Sequence, residues 1–166
     1  MLITLNPVEK KIVKLLLNCV ADNQLQATLR IAGGWVRDKL LLIESNDLDI
    51  VIDKMNGLDF ASVLDEYSRS KDLKIGSIGR IKINPDKSKH LETATLTLFG
   101  KDVDFVGLRH EVEYTSQSRN PIIAIGTPEQ DAFRRDITIN SLFYNIHSRE
   151  IEDFTGKVYC LSKFRD

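Results

Sequence analysis

Residues 29–53 read LRIAGGWVRDKLLLIESNDLDIVID, and the fold turns on them. Leu29 and Ile31 alternate with Arg30 and Ala32, a short strand that runs straight into Gly33-Gly34. From Trp35 the apolar period becomes helical, with Val36, Leu40 and Ile43 at spacings of three and four. A helix is therefore expected to begin directly after Gly34. Its unpaired amides and positive dipole end would lie beside a turn without Cβ atoms, where a phosphate could approach the backbone. Arg37, one turn in, adds a planar cation matched to phosphate oxygens.

The second half of the stretch supplies the opposite charge. After the loop signal Ser45-Asn46, residues 47–53 read DLDIVID. In a strand, Leu48, Ile50 and Ile52 share one face, and Asp47, Asp49, Val51 and Asp53 share the other. Two carboxylates on one face repel unless a cation lies between them. Such oxygen ligands suit Mg²⁺, which takes one or two carboxylates and completes its shell with water and substrate phosphate. Strand, glycine pair, helix and acidic strand together imply nucleotide chemistry. Each part alone also has an ordinary reading, a loop-punctuating Gly-Gly or a solvated acidic strand face.

At 166 residues the chain fits one domain with a real core, and its 42% hydrophobic and 28% charged composition is that of a soluble globular protein. A formal net charge of -1 argues against nucleic acid gripped over the whole surface but leaves room for a local basic patch. Two cysteines, Cys19 and Cys160, form neither a disulfide framework nor a zinc spacing. No segment reaches membrane-spanning length, and the opening MLITLNPVEKK lacks a secretory layout. The expected location is intracellular, cytoplasmic by default, with nucleus and mitochondrion left open.

Along the chain, Asn6, Pro7 and Glu9 read as a capped helix start, followed by a stripe of Val8, Ile12, Leu15, Leu16 and Cys19. A second amphipathic helix covers 58–67, with Phe60, Val63, Leu64 and Tyr67 inward. Residues 69–90 are lysine- and arginine-rich and broken by glycine and proline, a strand and loop that reads equally as solvated or as contacting nucleic acid. Residues 92–99 alternate, Gly100-Lys101 turns the chain, and 102–108 return as a hairpin. Asp102 and Asp104 then face away from Val103 and Phe105. Residues 111–121 read as a loop. Thr127 and Gln130 form a second capping box, and Asp131 stands four residues before Arg135, the spacing of a helical ion pair. Residues 143–153 read as a closing hairpin.

GGWVRD at 33–38 followed by Asp47-Leu48-Asp49, and RRDITINSLFYN at 134–145, resemble the two signatures of class II CCA-adding enzymes (tRNA nucleotidyltransferases) and their poly(A) polymerase relatives, the eukaryotic branch above all. One departure is visible: Leu42 stands where the family usually has glycine, which removes a left-handed helix cap. The resemblance implies an α+β polymerase-β-like nucleotidyltransferase head. This would be a mixed sheet of about five strands (28–32, 47–53, 92–99, 102–108, 143–153) with helices mainly on one face.

The resemblance also implies transfer of a nucleoside monophosphate from CTP or ATP to a tRNA 3′-hydroxyl. Asp47 and Asp49 would hold Mg²⁺, with Asp104 as a third carboxylate. Gly33, Gly34 and Arg37 would grip the triphosphate, and Arg134 or Arg135 would add charge near the nucleotide. The whole of 1–166 corresponds to the family's head. Its neck, with the base-selecting Glu-Asp-x-x-Arg element, and its body and tail have no counterpart here, so a separate chain could supply them. Two other readings stay open: a poly(A)-polymerase-like domain, and a non-catalytic nucleotide- or RNA-binding remnant.

Overall fold

The computed structural model describes residues 3–45, 47–73, 78–79, 93–112 and 122–157, with the backbone alone at 78–79, 109–112 and 122–125. The lysine-rich run at 80–90 lies outside them, as does most of the 111–121 stretch. In chain order the elements are α1 (Pro7–Asp22), β1 (Leu29–Ala32), α2 (Gly34–Leu40), β2 (Asp49–Ile52), α3 (Gly57–Ser70), β3 (Ile78–Gly79) and β4 (Ala94–Leu98). Then come β5 (Lys101–Gly107), β6 (Arg109–Val112), β7 (Ile122–Ile125), α4 (Pro128–Phe133), a 3-10 turn (Thr138–Ser141), β8 (Phe143–Asn145) and β9 (Glu150–Glu152).

The main sheet runs β3-β4-β5-β2-β1-β8-β9, and β6 and β7 form a separate two-stranded ribbon. It is mixed because β2 lies parallel to β5 while the other neighbours are antiparallel. Seven strands therefore replace the expected five: the closing hairpin counts as two, and β3 is added at the edge. The expected loop from 111 is corrected at its start, because Glu111 and Val112 pair with Ile123 and Ile122.

Alternation decides which side of the sheet is dry. Leu29, Ile31, Ile50, Ile52, Leu96, Val103 and Phe105 point to one face, where they pack with the buried stripes of α1, α2 and α3. Glycine at 57 is required here, since a Cβ would fall 1.9 Å from the Phe105 carbonyl oxygen. On the other face a small second cluster, Ala32, Val51, Leu108, Phe143 and Ala132 of α4, covers part of the sheet. Helices do lie mainly on one face, and the remainder of the other is left for polar side chains.

Both capping boxes form. Asn6 Oδ1 accepts from the Glu9 N–H at 2.9 Å and Glu9 Oε2 from the Asn6 N–H at 2.7 Å; Thr127 and Gln130 make the same exchange. Glu9 does more than cap. Its side chain is buried and also accepts from Trp35 Nε1 at 2.9 Å and Lys39 Nζ at 2.8 Å, which ties α1 to α2. Burial opposes ionisation of Glu9, but the Lys39, Asn6 and Trp35 hydrogen bonds outweigh it and hold the carboxyl below its ordinary range.

Two turns differ from expectation. Helix α2 stops at Leu40, so Ile43 is not part of its stripe and stands exposed. Leu42 takes the left-handed conformation at φ 58, which glycine adopts most readily. The cap forms regardless: Ile43 N–H donates to Asp38 O at 2.8 Å and Leu42 N–H to Lys39 O at 3.3 Å, the paired bonds of a Schellman motif. The β4–β5 turn is Phe99-Gly100 rather than Gly100-Lys101. Both residues have positive φ, 53 and 81, as a type I′ hairpin turn demands. The shift by one residue pairs Thr95 with Asp104 and Thr97 with Asp102.

Candidate active site

The polar face is where the sequence-derived candidates meet. Register sets the acidic group: in the parallel β2–β5 pair, Asp49 is the direct partner of Asp104. The Asp104 N–H donates to Leu48 O at 3.0 Å, which locks the two strands at that level. Asp47 precedes β2 rather than belonging to it, and its side chain is exposed. It stands two residues before Asp49 in the chain. Burial raises the Asp49 carboxyl above its ordinary pKa, and the charges of Asp104 and then Asp47 push in the same direction. Arg135 opposes them. Three carboxylates and one guanidinium thus share a field.

Asp104 is held by a neighbour absent from the candidate set. Thr95 Oγ1 donates to Asp104 Oδ1 at 2.5 Å, and Thr97 Oγ1 donates to Asp102 Oδ1 at 2.7 Å. The exposed Asp102 is thereby separated from the acidic group around Asp49, while Asp104 belongs to it.

Gly33 marks the other wall. It sits at φ 69 and ψ -136, immediately before α2, in backbone space that L side chains rarely enter. A Cβ there would lie 3.2 Å from Arg135 Nη1 and 4.0 Å from Asp49 Oδ2. A guanidinium and the central carboxylate therefore converge on the side of the turn that a Gly33 side chain would fill. At Gly34 a Cβ would lie 3.2 Å from Arg37 Nη2, so a second guanidinium rests against the other glycine. Because α2 has only seven residues, its dipole is short; the two arginines supply most of the positive charge at the turn.

The arginines are anchored from below. Asp131, buried, accepts from Arg135 Nη2 at 2.8 Å and Nε at 3.1 Å through one oxygen. Its other oxygen takes Arg134 Nε at 2.8 Å together with the Arg134 Nη2 hydrogen bond. The expected Asp131–Arg135 helical pair is present, and Arg135 also lies over the Phe143 ring at 5.1 Å. Between the two candidates for charge near the nucleotide, Arg135 is the one against Gly33, whereas Arg134 is exposed beside Asp131. Arg37 is held by Asp38 Oδ1 at 2.8 Å from Nε and by Asn140 Oδ1 at 3.1 Å from Nη1.

Among the described residues no three His, Cys, Asp or Glu side chains converge as a ready-made metal cage. A cavity of about 610 Å³ lies elsewhere, between α1 and the β8–β9 turn, lined by Ile3, Leu5, Val13, Leu17, Tyr144 and Arg149 among others, and it shares no lining residue with the glycine turn. His147 has a structural task, accepting the Leu29 N–H on Nε2 at 3.1 Å.

The family model of the poly A polymerase head domain matches residues 29–163. The chain belongs to that family. Its β-strand, glycine turn and acidic strand fall at the start of the match, and the Arg134-Arg135 element falls near its end. It is 48% identical over 168 residues to tRNA nucleotidyltransferase cca2 of Schizosaccharomyces pombe, covering 95% of this chain and 34% of that protein. It is 58% identical over 134 residues to the mitochondrial CCA tRNA nucleotidyltransferase of Saccharomyces cerevisiae, covering 78% of this chain and 24% of the relative. A solved CCA-adding enzyme in its second apo form superimposes with a TM-score of 0.68 at 27% identity, over 96% of this chain and 34% of the other. A CCA-adding enzyme complexed with ATP does so at 0.62 and 25% identity, over 92% and 31%. The chain thus spans 34% and 24% of the lengths of the two curated relatives named here. Among the described residues no helix is long and apolar enough to cross a membrane.

Proposed function

We propose that this head transfers a nucleoside monophosphate from CTP or ATP to a tRNA 3′-hydroxyl, releasing pyrophosphate. One observation carries the reading: the Arg135 guanidinium and the Asp49 carboxylate both face the space left by the missing Gly33 side chain, 3.2 and 4.0 Å from where a Cβ would stand. Cations for a triphosphate and carboxylates for a metal are thereby brought to one turn.

The chain's own residues divide the work. Arg135 and Arg37 bind phosphate oxygens from the two sides of the glycine pair, and the absent Cβ atoms let those oxygens reach the backbone. Asp47 and Asp49 would hold the divalent ion. The fit is supported by the placement of Asp49 level with Asp104 across the parallel strands: burial first, then the Asp104 and Asp47 charges, raise its pKa, and a bound cation would offset them. It also suits an ion that takes one or two protein carboxylates and fills its shell with water and phosphate. When bound, Mg²⁺ supplies charge that eases deprotonation of the attacking hydroxyl and offsets that on the leaving pyrophosphate. Asp104, fixed by Thr95, keeps the acidic field in place at the level of Asp49 and can orient the acceptor hydroxyl.

The relatives named as tRNA nucleotidyltransferases favour tRNA as acceptor over a growing poly(A) end. The reaction belongs inside the cell, where tRNA is, and the mitochondrial relative is consistent with that. We assign the whole chain to the head, with neck, body and tail functions supplied by further polypeptide, on the same chain or another. Labelled CTP and ATP are offered, with Mg²⁺ and tRNA lacking its 3′ end, to the chain with and without a neck-containing fragment. The expected result is incorporation of one to three nucleotides that vanishes in Asp47→Ala and Asp49→Ala. Long adenosine tracts would turn the assignment to a poly(A)-polymerase-like enzyme. Undiminished incorporation by either variant, or none by the wild type with the fragment present, would remove the mechanism.

A further inference from the structure

The two guanidinia at the glycine pair come from distant parts of the chain, and a single residue touches both. Asn140, half-buried in the 3-10 turn Thr138–Ser141, accepts from Arg37 Nη1 on its side-chain Oδ1 at 3.1 Å. Its main-chain oxygen accepts from Arg135 Nη1 at 3.3 Å. The residue is itself fixed by its N–H donating to Ile137 O at 3.0 Å and by a longer contact of its Nδ2 with Asp136 Oδ1 at 3.5 Å. Arg135 has a second, stronger anchor in Asp131. Among the described residues Arg37 has Asp38, its sequence neighbour, as its one partner besides Asn140, and its side chain is 38% exposed.

We propose that Asn140 is a positioning residue: it links Arg37 to Arg135 and sets the distance between them, so that both cations face one triphosphate. The inference rests on the nucleotide-binding reading of that turn and adds to it a part that phosphate itself does not touch. The amide suits this task better than a carboxylate. A neutral acceptor orients Arg37 without adding a second carboxylate to the Asp38 ion pair that it already makes. The two contacts are also separable, because replacing the side chain removes the Arg37 bond and keeps the main-chain bond to Arg135.

Two measurements on the full 166-residue chain test this. The first does not involve nucleotide: the rate of rotation about the Arg37 Nε–Cζ bond, read from ¹⁵N exchange of its guanidinium resonances. Asn140→Ala is expected to speed that rotation severalfold while the Arg135 resonances stay as they are. Asn140→Asp, which keeps an acceptor at the same place, is expected to hold Arg37 still. The second is a double-mutant cycle on equilibrium CTP binding with Mg²⁺. Asn140→Ala and Arg37→Ala should each weaken binding by about tenfold, the worth of one charge-assisted hydrogen bond. The double variant should be no weaker than Arg37→Ala alone, because Asn140 acts through Arg37.

Unchanged Arg37 rotation in Asn140→Ala, or losses that multiply in the double variant, would overturn the positioning role. Faster rotation with CTP binding unaffected in all three variants would confirm the brace and sink the nucleotide reading. A variant that merely misfolds is recognised by disturbed Arg135 resonances, and Asn140→Asp then decides: free rotation of Arg37 there refutes the proposal, and restraint supports it.

Discussion

Replacing Gly33 by alanine is the sharpest single perturbation of the glycine turn. Its φ of 69 with ψ -136 puts an L residue in strained backbone, which costs about 1–3 kcal/mol. A stiffer unfolded chain returns about 0.4–1 kcal/mol of that. The new Cβ also meets Arg135 Nη1 at 3.2 Å, close enough that the guanidinium must move by a few tenths of an ångström. That movement is cheap for stability, because it is the far end of a flexible side chain, but it displaces the cation nearest Asp49. The net expectation for Gly33→Ala is a loss of about 1–2 kcal/mol, or roughly 2–8 °C in Tm for a chain of this size. CTP binding should weaken by about tenfold or more. Gly34→Ala is the control. Its backbone is helical, so stability should hold or rise by up to about 1 kcal/mol. Its Cβ, 3.2 Å from Arg37 Nη2, should still weaken CTP binding. Thermal unfolding and equilibrium CTP titration on both variants separate the two effects. A Gly33→Ala protein as stable as wild type, or a Gly34→Ala protein that binds CTP normally, would refute the reasoning.

Three further outcomes follow from the same geometry. Asp49→Asn should raise Tm at neutral pH while abolishing transfer, because burial and the Asp104 and Asp47 charges hold the wild-type carboxyl above its ordinary pKa. The stability difference should shrink as pH falls through that raised value, since the protonated wild type no longer carries the penalty, and a difference independent of pH would contradict this. Leu42→Gly should stabilise by about 0.5–1 kcal/mol in urea unfolding: relief of a left-handed residue, about 1–2, less the entropy cost of glycine, about 0.5–1. No burial is lost, because Leu42 is 95% exposed. Glu9→Ala should cost about 3 kcal/mol by leaving Lys39 and Trp35 Nε1 without their buried partner. The Glu9 contribution is lost on acidification through its depressed folded pKa, so chevron and pH-melt data should show wild type and variant converging at low pH.

Local pattern and local chemistry were legible. The alternation of Leu48, Ile50 and Ile52 against Asp49 and Val51 sorted the two faces of β2 correctly, because a period of two leaves no third option. Asn6-Pro7-x-Glu9 named its own helix start. Positions that depend on backbone sign were read less well. Phe99 and Leu42 both carry positive φ, a conformation that their side chains argue against, so the hairpin turn came out one residue late and the α2 cap looked absent. That one-residue slip hid Thr95, whose partnership with Asp104 follows directly once the turn is Phe99-Gly100. The β6–β7 ribbon was hidden because a long polar stretch, rather than a two-residue hairpin turn, separates its strands in the sequence. The choice of Arg135 over Arg134, and the bridge through Asn140, are tertiary facts: both arginines reach Asp131, and only the packing of α4 and the following turn decides which one meets Gly33.

The central claim is that the carboxylates at 47 and 49 and the guanidinium of Arg135 close on one metal-bound triphosphate at the glycine turn. CTP affinity measured with Mg²⁺ and again with chelator, in wild type and Asp49→Asn, tests it most directly. Wild type should bind CTP tightly only with Mg²⁺, and Asp49→Asn should bind it equally with and without the ion. Metal-independent binding by the wild type, or a full Mg²⁺ effect surviving in Asp49→Asn, would contradict it.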